Sequence, residues 1–144
     1  MWYYGVKLHT LAQCNYKALS TPASMMLSKA SEHDLPIAKH LIGDAVNIRV
    51  FSDTALVDKE WQDLMHSENN VEILTPVKRR PRQKKLAFWD SMYSSAISSI
   101  KQAIESLNNW IIEKTNIQRA SKVRSADGLI SFVFARVASA CFLF

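Results

Sequence analysis

One uninterrupted amphipathic pattern, from residue 86 to about residue 115, constrains the fold more than any other feature of the chain. Its apolar residues recur every three or four positions, which is the spacing of one face of an α-helix. They are Leu86, Trp89, Tyr93, Ile97, Ile100, Ile104, Leu107 and Ile111. The pattern predicts a single long helix whose apolar stripe lies in the core. A second apolar helix is predicted after Gly128, over residues 129–143.

Shorter strand and helix patterns fill the first half of the chain. Alternating apolar and polar residues predict a half-buried strand near the start, and short apolar runs predict further strands. The predicted strands are residues 2–11, with 16–20 as the hairpin partner, 48–51 and 71–74, and the predicted helices are residues 32–43 and 58–67. These patterns alone indicate an α/β or α+β domain, because short apolar runs do not fix the strand order.

The positive charge of the chain is concentrated in one short segment. The chain has 144 residues and a net charge of +5, and its length suits one domain. Residues 78–85, called the basic segment below, hold six of its 18 basic residues, so 12 basic residues stand against 13 acidic ones elsewhere. With Pro76 and Pro81 nearby, the basic segment is predicted to be an exposed connection. Such a cluster is either a solvated loop or a phosphate-binding surface.

The sequence carries no signal for a membrane, secreted or zinc-binding protein. The longest apolar stretch, residues 129–144, is interrupted by Arg136 and falls short of the roughly 18 residues that a membrane helix needs. The first residues lack the basic start and apolar core of a secretory signal, so we expect a cytoplasmic protein. Cys14 and Cys141 are far apart and have no metal-ligand spacing, so we expect reduced thiols.

Two carboxylates occupy positions that suit metal-dependent chemistry. Asp53 ends the apolar run of residues 47–52, and Glu105 lies on the polar face of the long helix. The carboxyl end of a strand is where ligands bind in open α/β sheets. Taken alone, Asp53 is more typical of a turn or a cap, and Glu105 could equally be a solvated partner of Lys101, one helical turn earlier. Both interpretations stay open on the residues alone.

Three stretches of the chain resemble DDE transposases of bacterial insertion sequences. Residues 104–124 resemble the glutamate-bearing helix of that family, and YYGVKLH at residues 3–9 and the segment 22–35, which ends in SEHDL, resemble two earlier landmarks in the right order. The resemblance implies an α/β fold with an RNase H-like mixed sheet flanked by helices. It also implies that Asp53 and Glu105 are catalytic carboxylates that hold Mg²⁺ or Mn²⁺ for DNA strand cleavage and transfer.

The resemblance further implies a partial domain. The first catalytic aspartate of the family lies on a strand before the YYGxKLH segment, which begins here at Tyr3. We therefore expect residues 1–144 to be an N-terminally truncated DDE catalytic domain that lacks its first strand. Its strands lie mainly in residues 1–77, the basic connection in 78–85 and the helices in 86–144. Metal binding is expected to be weak or absent, and the isolated chain inactive.

Departures from the family pattern around the two carboxylates also count against activity. Lys101 occupies the position, four before Glu105, where the family usually has arginine. Thr54 and Leu56 stand where the family has a small or basic residue and a tyrosine. Lysine preserves a positive charge near a phosphate but not the bidentate geometry of a guanidinium.

Positive side chains are predicted to bind DNA at two places on either side of Glu105. If residues 114–122 are helical, Lys114, Gln118 and Lys122 form a ridge on one helix face. The predicted DNA-binding residues are Lys78, Arg79, Arg80, Arg82, Lys84, Lys85, Lys101, Lys114, Arg119, Lys122 and Arg124. The expected partner is DNA, at the insertion-sequence ends and the target, contacted through phosphates with little base recognition.

Three functional hypotheses from different classes follow. The favoured one is the catalytic-domain remnant of an insertion-sequence transposase that binds DNA and, weakly, a divalent metal. The second is a DNA-binding or regulatory fragment that competes with intact transposase. The third is a structural or interaction protein whose carboxylates are incidental. Under the first two, a homodimer or association with intact transposase is a further expectation, and the expected location is the nucleoid of a bacterial cytoplasm.

Overall fold

The protein is an α/β protein of short strands and helices that fall into two compact units. The computed structural model describes residues 5–15, 17–120 and 123–143. Its elements are β1 (Val6–Gln13), β2 (Thr21–Lys29), α1 (Asp34–Ile42), β3 (Arg49–Phe51), a 3₁₀ turn (Thr54–Leu56), α2 (Lys59–Asn69), β4 (Glu72–Leu74), α3 (Phe88–Thr115) and α4 (Ala126–Cys141). The first unit comprises the described residues of 1–33 and 103–144, and the second comprises residues 34–102. The predicted α/β class is confirmed.

A β-hairpin and the C-terminal helices form the first unit. β1 and β2 pair antiparallel from Val6↔Lys29 to Gln13↔Thr21, with a bulge between Leu11 and Ala12. The core consists of buried residues on α3 and α4 with partly buried ones packed against them: Leu107, Ile111 and Ala140, and Ala12, Leu19, Met25, Ile104 and Trp110. Ala12 of β1 and Met25 of β2 pack against this cluster, so one side of the hairpin faces the helices.

The prediction that residues 16–20 form the hairpin partner is wrong. Tyr16 lies outside the described residues, and residues 17–20 form a turn and loop before β2. Asn15 holds this connection, since its side-chain amide donates to the carbonyl oxygen of Leu19 at 3.0 Å and to Thr21 Oγ1 at 2.9 Å. Lys17 has a φ of 54°, in the left-handed region that turns use. The partner strand is instead β2.

A parallel strand pair and two helices form most of the second unit. β3 pairs with β4 in the register Arg49↔Glu72 to Phe51↔Leu74. The buried apolar residues of the second unit are Ala38, Ile42, Val50, Met65, Val71 and Ile97. Parallel strands need a crossover connection, and α2 supplies it. The strands predicted at residues 48–51 and 71–74 and the helix predicted at 58–67 are confirmed within two residues.

The long helix is confirmed, but its apolar stripe is only partly core. α3 is 28 residues long, and Ile97, Leu107 and Ile111 are buried on it. Trp89 and Tyr93, from the same predicted stripe, are exposed. The prediction that the whole stripe is buried is therefore wrong for the first turns. Periodicity shows which residues share a helix face, but it does not show whether another element covers that face.

The carboxylate of Asp58 links α1 to the start of α2. Its Oδ1 accepts a hydrogen bond from the backbone N–H of Trp61 at 3.2 Å, as an N-cap does. Its Oδ2 accepts from Lys39 Nζ at 2.6 Å, and that ammonium lies 5.5 Å from the centroid of the Trp61 ring. The hydrogen bond from Lys39 and then the one from Trp61 hold the pKa of Asp58 below its ordinary value of 3.8.

We predict that Asp58→Ala lowers the free energy of unfolding more than Asp58→Asn, because asparagine keeps the cap but loses the ion pair. A carboxyl whose pKa is lowered by folding stabilises the protein fully above its unfolded-state value, and this stability is lost as the pH falls through the folded-state pKa. Urea unfolding at a series of pH values measures the difference in free energy of unfolding between wild type and Asp58→Asn. This difference should be full near neutral pH and should shrink below pH 3.8. The control is Asp63→Asn, because Asp63 is an exposed acidic residue of α2. This substitution should change the free energy of unfolding little. Equal unfolding midpoints for wild type and Asp58→Ala would contradict this role.

Candidate active site and nucleic-acid interface

Asp53 lies two residues beyond the end of β3, and its carboxylate points largely to solvent. Its side chain is 66% exposed, whereas Ser52 before it is buried. The backbone at Asp53 is extended, with φ −82° and ψ 163°, and Asp53 is the N-cap of the 3₁₀ turn. Oδ1 accepts a hydrogen bond from the backbone N–H of Thr54 at 2.7 Å. The cap interpretation of Asp53 is thus correct for one of its two oxygens.

The other oxygen of Asp53 faces a lysine from α3. Lys101 Nζ lies 3.5 Å from Asp53 Oδ2, and the Lys101 side chain is only 22% exposed. The hydrogen bond from Thr54 lowers the pKa of Asp53 most, partial burial opposes it, and the charge of Lys101 lowers the pKa further. The carboxylate is therefore held ionised beside a partly buried cation, and both residues belong to the second unit.

Glu105 follows Lys101 by one turn of α3 and belongs to the first unit. Its side chain is exposed and forms no hydrogen bond or ion pair with any described residue. The alternative in which Glu105 is the partner of Lys101 is wrong, since the ion pair of Lys101 is with Asp53. The sequence did not signal this pairing, because the partners are far apart along the chain.

The metal-binding capacity of the described residues is limited. Carboxylate oxygens are the donors that Mg²⁺ and Mn²⁺ take, so Asp53 and Glu105 fit such an ion in their chemistry. Among the described residues, however, no group of three His, Cys, Asp or Glu side chains is close enough to hold one. The residues outside the described part include none of these four types. A three-carboxylate site is thus not assembled from the described residues.

The basic segment is exposed and electrostatically uncompensated. Lys78, Arg79, Arg80, Arg82, Lys84 and Lys85 are all exposed, and none forms an ion pair with a described residue. The backbone N–H of Arg80 donates to Gln83 Oε1, and the N–H of Gln83 donates to the carbonyl oxygen of Arg80, both at 3.0 Å. At the entry to the segment, the N–H of Val77 donates to Ser94 Oγ at 3.0 Å. The predicted exposed connection is confirmed.

The predicted basic ridge after Glu105 is not a helix face. α3 ends at Thr115, and Asn116 has a left-handed φ of 50°. Lys114 is on the last turn of α3, while Arg119 and Arg124 lie on the connection to α4, and all three are exposed. Lys122 lies outside the described residues. The helical prediction fails because Asn tolerates the left-handed conformation that ends a helix.

Comparison with protein families identifies the chain. A family model described as a transposase DDE domain matches residues 1–125. The chain belongs to the transposase DDE domain family. The matched region includes Asp53, Lys101, Glu105 and the basic segment, and it ends at Ser125, the N-cap of α4. Comparisons with curated proteins and with solved structures gave no match.

Membership in this family has three consequences that the structure accommodates. The α/β architecture, with small sheets and four helices in its described part, is compatible with the RNase H-like fold of DDE domains. Transposases act on DNA, and DDE transposases generally use divalent metal ions. Within the described residues, no helix is long and apolar enough to cross a membrane. The family thus supports a function in DNA transposition.

We predict that Lys101→Met raises the pKa of Asp53, because it removes a positive charge 3.5 Å from Oδ2. Thr54→Pro should raise it more, since it removes the N–H donor that lowers the pKa most. Proline is tolerated there, because the extended backbone of Asp53 suits the residue before a proline. Carboxyl-carbon NMR titration measures both shifts. Lys101→Arg and the exposed Lys114→Met are controls that keep the pKa of Asp53 near the wild-type value. An unchanged pKa in Lys101→Met would show that the ion pair does not form in solution.

Proposed function

We propose that the chain binds DNA as part of a DDE transposase catalytic domain, and that its 144 residues alone do not cleave DNA. The observation that carries the proposal is the basic segment, whose six exposed cations form no ion pair with a described residue, in a chain of the transposase DDE family. Uncompensated cations in a row neutralise phosphates and release counterions, which provides affinity for any duplex. The mobile DNA that encodes such a transposase would be an insertion sequence, as the sequence resemblance implies.

The basic segment suits phosphate positioning rather than base recognition. It is a proline-containing connection closed by the turn at residues 80–83, and the left-handed φ of 69° at Arg82 interrupts any regular element. A groove is entered by a helix or a two-stranded ribbon, which present side chains in a fixed array to base edges. The segment provides neither. Contacts to the DNA backbone that are independent of sequence are therefore expected.

Asp53 and Glu105 are proposed as the carboxylates of the reaction. Support comes from family membership and from the positions of the two residues, one beyond a strand end and one on the long helix. A bound divalent ion would activate the attacking oxygen and stabilise the leaving one. The hydrogen bond from Thr54 and the charge of Lys101 keep Asp53 ionised and therefore ready to act as an oxygen donor. Lys101 also places a positive charge where a phosphate could approach.

Lack of cleavage by this polypeptide follows from the ligand count of its described residues. No three potential metal ligands converge there, and two hard cations in such chemistry are usually shared by more donors than two carboxylates provide. Loss of a single preorganised group from an active site costs roughly 100-fold in rate or more. The shortage of metal ligands does not affect the proposed DNA-binding residues, because lysine and arginine contact phosphates without a metal ion.

We predict that purified residues 1–144 show no Mg²⁺- or Mn²⁺-dependent nicking or strand transfer on supercoiled plasmid DNA. The matched control is Asp53→Asn, which should behave like the wild type, since neither preparation has activity to lose. Metal-dependent nicking by the wild type that disappears in Asp53→Asn would overturn the proposal of an inactive chain and would establish Asp53 as catalytic.

We predict that neutralising Lys78, Arg79, Arg80 and Arg82 together weakens binding to any duplex and flattens its salt dependence. Each lost phosphate contact removes about 0.9 from the slope of log affinity against log salt concentration. Gel-shift titrations over a range of salt measure the slope. Asp53→Asn and Glu105→Gln are the matched controls, and in metal-free buffer they should leave affinity unchanged or raise it. Unchanged binding after neutralisation would make the basic segment a solvated loop and move the contact to Lys114, Arg119 and Arg124.

A regulatory role is the second candidate. The described residues offer six uncompensated cations but no assembled metal site, which favours DNA occupancy without chemistry. Such a chain would compete with intact transposase for DNA or associate with it. Titrating the chain into a reaction of active transposase should then inhibit strand transfer, and the variant with the neutralised basic segment should inhibit less. Equal inhibition by both proteins would indicate association with the transposase rather than competition for DNA.

A further inference from the structure

The first two turns of α3 expose a patch of large apolar side chains. Phe88 is 69% exposed and Trp89 76% exposed, and Met92 and Tyr93 are exposed beside them. The four positions fall within about 140° of the helix circumference, since successive residues are about 100° apart and Phe88 with Met92 and Trp89 with Tyr93 are i, i+4 pairs. The rings of Phe88 and Trp89 meet edge to face, with centroids 5.4 Å apart. An exposed apolar cluster of this kind marks a binding surface. These four residues are called the aromatic patch below.

The basic segment leads into the aromatic patch at one end and is attached to the same helical turns at the other. Lys85 precedes Phe88 by three residues, so the segment leads directly into the first turn of α3. Its other end is attached to the same two turns, because the N–H of Val77 donates to Ser94 Oγ, but Ser94 lies on the side of α3 opposite the aromatic patch at about 100° per residue. Both ends of the basic segment are therefore attached to the first two turns of α3.

The charge around the aromatic patch selects the chemistry of its partner. Between Lys78 and Lys101 the sequence has seven basic residues and one acidic residue, Asp90, which is half-buried. The cations of the basic segment have no acidic partner among the described residues. A partner that covers this surface must therefore combine negative charge with flat apolar faces. Single-stranded DNA has both, through its phosphates and its unpaired bases.

We propose that the aromatic patch stacks on unpaired bases of a DNA single strand whose phosphates contact the basic segment. This inference rests on the proposed DNA binding and deepens it, because it names the form of DNA that the surface prefers. In a duplex, the bases stack on one another and their faces are covered. In a single strand, each base offers a face to an aromatic ring whatever its identity. Trp89 is the main stacking platform, since it is the largest and most exposed of the rings.

The test compares two probes on the full chain by fluorescence anisotropy. One probe is an oligo-dT of about 20 nucleotides, which exceeds the roughly 4–16 nucleotides that one single-strand-binding module covers, and the other is a duplex of the same length. The double variant Phe88→Leu with Trp89→Leu keeps apolar bulk but removes both rings. It should bind oligo-dT on the order of tenfold more weakly and the duplex as well as wild type does. Oligo-dT should also quench tryptophan fluorescence in the wild type more than in the double variant.

Two further variants make the comparison decisive. Trp89→Tyr retains a ring and should keep most of the affinity for oligo-dT, even if the double variant folds poorly. Phe134→Leu removes an exposed ring from α4, which has no basic segment beside it in sequence, and it should bind both probes as wild type does. Circular dichroism and the thermal midpoint report whether each variant is folded.

Failure of the inference can be told apart from failure of the proposed function. If the wild type binds neither probe, both fail. If the duplex is bound with a steep salt dependence while the folded double variant binds oligo-dT like wild type, stacking alone is overturned. If the double variant turns a dimer into a monomer by sedimentation and leaves both DNA affinities unchanged, the patch is a contact between copies of the chain, and the inference is likewise overturned.

Discussion

The fold depends on the continuity of α3. Its 28 residues extend over about 42 Å at the usual helical rise, and its apolar stripe is divided among three environments. Ile97 is buried in the second unit, and Leu107 and Ile111 are buried in the first. The first turns present the aromatic patch to solvent. Burial of a large aliphatic side chain contributes about 1.5–3 kcal/mol, so the buried parts of the stripe stabilise the helix and the exposed part does not.

The polar residues of the same helix include both the partner of Asp53 and the proposed catalytic glutamate. Lys101 comes one turn after Ile97 and reaches Asp53, while Glu105 comes one turn later on the exposed face. An ion pair with one partner this exposed contributes only about 0–1 kcal/mol to stability. The pair therefore matters more for the electrostatics at the strand end than for folding. After the hydrogen bond from Thr54, the charge of Lys101 helps to lower the pKa of Asp53, and the pair places a cation next to this carboxylate.

The sequence predicted the elements whose signals are local. The strand at β3, the helix at α2 and the extent of α3 all follow from the periodicity of apolar residues. The strand β2 was missed because, after Thr21, its sequence has no β-branched residue and contains Pro22, so its pairing comes from tertiary context rather than propensity. The basic ridge after α3 was considered as a helix, but residues 116–120 do not form one, for the opposite reason. The charges after Thr115 suit a helix, but the left-handed backbone of Asn116 ends it.

In the candidate site, too, features set by neighbouring residues could be predicted, and contacts between distant residues could not. The basic segment could be predicted from composition, since charge and proline alone indicate exposure. The ion pair of Asp53 with Lys101 could not, because it joins a strand end to a helix 48 positions further along the chain. Nor could the exposure of Trp89, which has the same periodic signal as the buried Leu107. The proposed DNA binding rests on such non-local outcomes. Within the part of the chain that the structure describes, Trp89 is exposed and the cations of the basic segment have no carboxylate partner, so both are available to another molecule.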